Sequence, residues 1–253
     1  LLRHSGSQVA LGTGRTVFFT NIVNWLLGNL DRIIIGRVLG AHAVGLYALA
    51  YNFAQIPQTL LVSAIQPTFV ASGAKLGAEP QRLAEAWLLV LACVLVLVTP
   101  AALAMALVSH DLVALLYGNA WSEAGWLLAV MFLCLPAWTC WALSTPVLWD
   151  TGRKHLEARL RLPRLAVAVP AWWLLPQHAG LWAAVLPPAA VIHGRALLTV
   201  AAGLRALDMR WSALAPLLLR GLLLAAWCAA ATVAAQAAVG QLGPPAGSLG
   251  GRG

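Results

Sequence analysis

Asn29-Leu30-Asp31-Arg32-Ile33-Ile34-Ile35-Gly36-Arg37-Val38-Leu39-Gly40, running on through Val44-Gly45-Leu46-Tyr47-Ala48-Leu49-Ala50-Tyr51 to Pro57, sets an Asp-Arg pair inside an apolar helix. A short Gly-flanked turn follows, and a second apolar helix opens. Both helices carry a polar stripe. At roughly 100° per residue, Asn21, Asn24, Gly28 and Asp31 fall within about an 80° arc, which Arg32 widens only to about 100°. In the second helix Asn52, Gln55, Thr59, Ser63 and Gln66 also share an arc of about 80°, with Tyr51 beside it.

The rest of the chain explains why such stripes matter. Of 253 residues, 61% are hydrophobic and only 9% charged, and the mean hydropathy is +0.81. A soluble domain cannot cover its core with so little polar surface, so the sequence reads as an integral membrane protein. Its apolar runs reach about 20 residues, enough to cross roughly 30 Å of hydrocarbon as helix. Barrel strands would alternate polar and apolar positions over about ten residues, and these runs do not. The expected fold is all-α, a polytopic transmembrane helix bundle. Its seven spans are predicted near 10–36, 43–71, 83–108, 122–149, 163–177, 180–202 and 213–239. Residues 1–240 form the membrane unit, and the Gly/Pro-rich stretch 241–253 is expected to be a disordered tail.

Basic residues set the orientation, because short cytoplasmic loops collect Lys and Arg. With the N-terminus inside, the inner loops hold Arg3, Arg15, Lys75, Arg82, Arg153, Lys154, Arg159, Arg161, Arg164, Arg205 and Arg210, eleven of the sixteen basic residues. The outer connections, near 37–42, 109–121 and 178–179, carry Arg37, His42, Asp111 and His178. Trp121, Trp126, Trp149, Trp182 and Trp211 fall near span ends, where an aromatic belt belongs. The net charge of +8 therefore needs no nucleic-acid partner. Cys93, Cys134, Cys140 and Cys228 lie in apolar runs without CxxC or Cys/His spacing and read as packing residues, with no metal, disulfide or cofactor implied. The chain has no signal peptide and does not begin with Met, so it is expected to be part of a longer protein.

A central Asp or Arg in a bilayer costs roughly 2.5–3.5 kcal/mol on insertion scales, so such groups face protein or water. Two readings of the stripes follow. In one, Asn, Gln, Ser and Thr hold helices together while Asp31 and Arg32 neutralise each other or snorkel to the interface. In the other, Asn21, Asn24, Asp31, Arg32, Asn52, Gln55, Thr59 and Gln66 line a water-filled cavity that accepts a polar or anionic solute. Five polar residues on one helix exceed what a packing seam requires, which favours the cavity. Arg195 and Arg220, inside later apolar segments, are further cationic candidates, with snorkelling to the inner surface as the alternative. Pro57, Pro67, Pro100, Pro136, Pro146, Pro170 and Pro216 free backbone carbonyls and permit bending; ordinary kinking is the better reading of any single one, and Pro187-Pro188 is the pair to test for a hinge.

The run Asn29-x-Asp31-x-x-Ile34-Ile35-Gly36-x-x-Leu39-Gly40, then Val44-Gly45-x-Tyr47-x-Leu49-Ala50-Tyr51 and Pro57, resembles the start of the C-terminal lobe of bacterial polysaccharide exporters and Wzx-type O-antigen flippases. Leu115-Leu116-Tyr117-Gly118-Asn119-Ala120-Trp121 is similar to the hydrophobic-Gly-x-x-Trp turn before the fourth helix of that lobe. Gly152-Arg153-Lys154 and Ala179-Gly180-Leu181-Trp182-Ala183-Ala184 keep the family order. One departure is Gln66-Pro67-Thr68-Phe69, where many relatives have an aromatic-Pro pair.

The resemblance implies a member of the multidrug/oligosaccharidyl-lipid/polysaccharide superfamily, built from two six-helix lobes around a cavity that opens alternately to each side. This chain would supply one lobe plus a helix, and a missing N-terminal lobe the other wall. The implied function is non-enzymatic: flipping a polyprenyl-pyrophosphate-linked oligosaccharide across the bacterial inner membrane, with membrane lipid and, as in many members of the superfamily, a coupling ion as further partners. A multidrug/cation antiporter of the same superfamily shares the fold but would combine acidic residues with an aromatic pocket, and Asp31 is the one acid well placed. A non-transporting assembly subunit is the third reading. A membrane glycosyltransferase or ligase would need a sizeable outer loop or catalytic carboxylates, which the sequence lacks.

Overall fold

The computed structural model describes residues 3–76, 79–151, 169–178 and 180–242. Within them the protein is an all-α bundle. Helix α1 runs Arg3–Leu76 and is broken at Gly40, where φ is 85° and ψ 178°. Helices α2 (Pro80–Cys93) and α3 (Thr99–Tyr117) are joined by a π-helical segment, Val94–Val98. After them come α4 (Ala124–Leu133), α5 (Leu135–Asp150), a helix α6 over residues 169–178, α7 (Leu186–Ala206) and α8 (Ala215–Leu242).

The break in α1 is a reversal of the chain. In one continuous helix, Asp31 and Tyr47 would stand about 24 Å apart at roughly 1.5 Å per residue. Instead their side chains are hydrogen-bonded at 2.6 Å. The two arms of α1 therefore lie antiparallel as a hairpin. The turn expected over 37–42 is contracted to the single residue Gly40, whose positive φ suits glycine, since a Cβ there is sterically disfavoured. Close approach of the arms uses Gly36, where a Cβ would meet the Val44 side chain at 2.9 Å.

Four helical stretches among the described residues, or five with α4 and α5 counted as one bent span, are long and apolar enough to cross a membrane. The first of these, Gly28–Thr68, contains the reversal and so supplies two arms. The span expected at 122–149 is bent by 41° between α4 and α5. Its cause is Pro136 in the first turn of α5, because proline lacks an N–H and its ring crowds the carbonyl four residues back. Likewise Pro100 follows the π segment, where the Thr99 N–H reaches back to the Val94 carbonyl. Such a bulge relieves a local conflict in the helical ladder. Pro187 and Pro188 occupy the buried first turn of α7. The expected span 163–177 lies outside the described residues up to 168, and α8 runs two residues into the stretch 241–253, of which 243–253 lie outside them.

Three positive-φ glycines, Gly40, Gly118 and Gly180, make the turns at one end of the bundle. Gly45 packs on Trp121 there, and the Trp126 and Trp182 rings meet at 5.4 Å. Arg82, Arg205 and Arg210 belong to the opposite end, where Gly203 abuts Trp87. Arg153, Lys154, Arg159, Arg161 and Arg164 lie outside the described residues. The core is divided in the same direction. One cluster, around Leu46, Tyr47, Leu128, Met131 and Phe132, packs the α1 hairpin on α4. The other, around Trp87, Leu91, Leu143, Val147 and Leu204, joins α2, α5 and α7. Cys93, Cys134, Cys140 and Cys228 are all free thiols.

Candidate functional site

The hairpin brings the polar residues of its two arms together and sorts them. Asp31 turns into the core and is only 7% exposed. The Tyr47 hydroxyl donates to its Oδ2 at 2.6 Å, and the Arg32 backbone N–H donates to its Oδ1 at 2.8 Å. The first distance lies in the range of charge-assisted O–H···O bonds.

Arg32 takes a different path. Its guanidinium forms no ion pair with Asp31, the described salt bridges being Arg82–Glu79 and His110–Asp111. It donates instead to two neutral amides, Asn29 Oδ1 and Asn52 Oδ1, each at 3.0 Å. The cation also sits 5.0 Å from the Tyr51 ring centroid, within cation–π range. Arg32 Nε is buried and has no hydrogen-bond partner. Asn29 is itself fixed by donating to the Trp25 carbonyl at 2.8 Å.

An aromatic wall backs this cluster. Tyr47 and Tyr51 stack at 6.0 Å, and Tyr51 meets Trp138 of α5 edge-on at 5.5 Å. One turn further along α5, Trp141 carries the Arg195 guanidinium at 3.5 Å from its ring centroid. Arg195 thus belongs to the same wall but is stacked on an indole rather than gathered beside Arg32.

The remaining stripe residues straddle a boundary. Asn21, Asn52, Thr59 and Ser63 are exposed, while Gln55 and Gln66 are half-buried. Gln66 donates to the Ala142 carbonyl at 3.3 Å, tying the second arm to α5. Ser63 bonds the Leu60 carbonyl of its own helix at 3.1 Å. The side chain of Asn24 lies outside what the structure describes. The exposed sector of the second arm also carries Ile56 and Leu60, so polar and apolar surface run side by side along one face. Arg220 is exposed on α8, away from the hairpin.

Tyr47 and Asn29 are the partners that the wheel calculation misses, because a wheel treats each helix alone. An antiparallel fold about Gly40 brings residues at similar distances on either side of it level, and that relation pairs Asp31 with Tyr47. No group of three or more His, Cys, Asp or Glu with metal-binding geometry occurs among the described residues.

A helical bundle whose apolar spans carry a charged, amide-lined hairpin defines a multi-pass membrane protein with polar side chains within its spans. Residues 4–125, which hold the hairpin and α2–α3, match the profile of a family described as polysaccharide biosynthesis protein. The chain is 32% identical over 103 residues to the lipopolysaccharide biosynthesis protein WzxC of Escherichia coli (strain K12), covering 41% of this chain and 21% of that protein. It is 25% identical over 158 residues to the amylovoran biosynthesis protein AmsL of Erwinia amylovora, covering 61% of this chain and 41% of that one. The first half of the chain is thus similar to polysaccharide biosynthesis proteins, and its matches span less than half the length of either relative. No solved structure matches it significantly.

Proposed function

We propose that the chain is one lobe of a flippase that moves a polyprenyl-pyrophosphate-linked oligosaccharide across the bacterial inner membrane. The observation that carries this reading is the state of Arg32: its cation rests on neutral amides and a tyrosine ring beside an exposed polar stripe, while the neighbouring carboxylate is engaged by Tyr47. An arginine held this way keeps its charge available to an anion. Its planar fork matches phosphate oxygens, which a lysine's point charge does not.

The head group would enter between this lobe and a second one from the same protein, with the glycan on the polar stripe. The polyprenyl tail would stay in lipid beside the apolar edge at Ile56 and Leu60. Asp31 acts by setting the hairpin geometry through Tyr47. No bond is made or broken in this cycle, so the protein works by alternating access rather than catalysis.

The test is export complementation, with the full-length gene expressed in a bacterium lacking its own glycan flippase. Wild type should restore surface polysaccharide. Export by Arg32→Ala should fall about tenfold or more, as the loss of a charged hydrogen bond of roughly 1.5–3 kcal/mol implies, at unchanged protein level. Arg32→Lys should fall between the two. Normal export by Arg32→Ala would remove the arginine from the mechanism. Drug resistance without glycan export would replace the proposal with the antiporter reading.

A further inference from the structure

At the end of the bundle that bears the glycine turns, α3, α4 and the start of the helical stretch 180–206 enclose a second, separate cleft of about 340 Å³. Its walls are Trp126 and Trp182, whose rings lie 5.4 Å apart at 55° and are 54% and 55% exposed. His110, Ser122 and Glu123 supply its polar rim, and Leu127 and Leu181 its floor.

The frame around it is tightly built. Helix α4 begins against α3 so closely that a Cβ on Gly125 would stand 2.6 Å from the His110 Cα. Ser109 bridges the same junction, its single hydroxyl proton shared between the Ala106 carbonyl at 2.8 Å and the Gly125 carbonyl at 2.9 Å. Gly180, at φ 66°, makes the turn that delivers Leu181 and Trp182 to the cleft. The two indoles thus touch each other on a rigid frame, each with about half its surface open.

We infer that this cleft is a binding site for an uncharged pyranose ring. Cleft and ring are chemically complementary. An indole face is electron-rich and its edge electron-poor, so it attracts the slightly positive C–H face that a pyranose presents. Hydroxyls around the ring then need acceptors and donors, and Glu123, His110 and Ser122 stand at the rim to provide them. No Arg or Lys lines the cleft, while Glu123 lines it and Asp111 adjoins His110 at 4.0 Å. A phosphate or uronate would meet this negative rim unfavourably, which leaves a neutral sugar. A volume of about 340 Å³ fits one or two sugar rings, at the lower end of small-molecule pockets.

This inference rests on the export reading, under which the cleft lies at the outer end of the lobe and would hold the glycan as it leaves. A bare interfacial tryptophan needs no carboxylate and no rigid junction, and this site has both.

The experiment is saturation-transfer NMR on the full-length protein in a detergent without a sugar head group. The probes are methyl glycosides of glucose, galactose, rhamnose and N-acetylglucosamine. At least one should receive saturation on its ring C–H protons. Trp126→Ala should weaken that binding about fivefold, the size of one lost aromatic contact, with Trp126→Phe retaining part of it. Glu123→Gln should weaken it while leaving the folded protein's Tm unchanged. Equal saturation in wild type, Trp126→Ala and Glu123→Gln would overturn the inference. So would a Trp126-dependent signal from glycerophosphoethanolamine but from no sugar, which would make the cleft a lipid head-group seat.

Complementation run in parallel separates the two proposals. Restored export without Trp126-dependent sugar binding defeats the cleft and leaves the flippase standing. Trp126-dependent sugar binding without restored export does the reverse.

Discussion

The α1 hairpin and the junction where α2 and its π segment meet α5, α7 and α8 solve the same problem in opposite ways. Each brings helices into close contact within apolar surroundings. At the junction, contact is made by small residues and one neutral hydrogen bond: Gly221 lies under the Leu95 carbonyl, Gly203 under the Trp87 ring, and Trp87 Nε1 donates to Ser144 Oγ at 3.1 Å. In the hairpin, contact uses Gly36 but adds a carboxylate, a guanidinium, two amides and two phenols. The junction proves that this chain can pack membrane helices without charge. The polar groups of the hairpin carry a cost inside a bilayer that the junction avoids, and the proposed export function gives them a use.

The largest expected effect lies at the junction. A Cβ at Gly221 would collide with the Leu95 carbonyl oxygen, and a backbone atom inside the π segment cannot swing away. Gly221→Ala is expected to destabilise the bundle at or above the upper end of the ~1–3 kcal/mol typical of overpacking, seen as a lower Tm in detergent. An unchanged Tm would mean that α8 is not seated on the π segment.

Tyr47→Phe comes next. It strips the buried Asp31 carboxylate of its side-chain donor, and loss of a hydrogen bond to a charged group is expected to cost roughly 1.5–3 kcal/mol. Adding Asp31→Asn should recover much of that loss, because the orphaned charge is then gone. A double-mutant cycle from thermal unfolding measures the coupling, and strict additivity would dissolve the pair.

Trp87→Phe should be milder. The bond it removes joins two neutral groups, and interhelical hydrogen bonds of this kind average about 0.6 kcal/mol. A larger effect would mean that the indole's fit against Gly203 matters more than its N–H. The smallest effect is expected from Ser63→Ala, whose hydroxyl serves only the carbonyl of Leu60. Stability should stay within about 0.5 kcal/mol, so any fall in export would be read as lost contact with the solute.

How far the site was legible in the sequence depends on whether a residue's role is local. Helical periodicity alone put Asn52, Gln55, Thr59, Ser63 and Gln66 on one stripe. It also put Asp31 and Arg32 at the edge of another, with Gly40 near the reversal. It could not separate Asp31 from Arg32, neighbours in sequence that end in different environments. Asp31 is buried by Tyr47 on the opposite arm, and Arg32 is drawn outward by Asn52. Nor could it show that Gln66 is used by α5, or that Arg195 stacks on Trp141, since those contacts join distant stretches. The cleft between Trp126 and Trp182 was visible only as two residues at span ends.

Composition and apolar run length by themselves determined the class of this protein: helices that satisfy their own backbone are what a chain this apolar can make in a membrane. The Asn29–Pro57 motif likewise marked its kinship, because identity along a segment needs no coordinates. The tertiary structure alone decided which charge is buried and which is offered. A carboxylate or guanidinium takes its role from the groups within a few ångströms, and here those groups come from the other side of a turn.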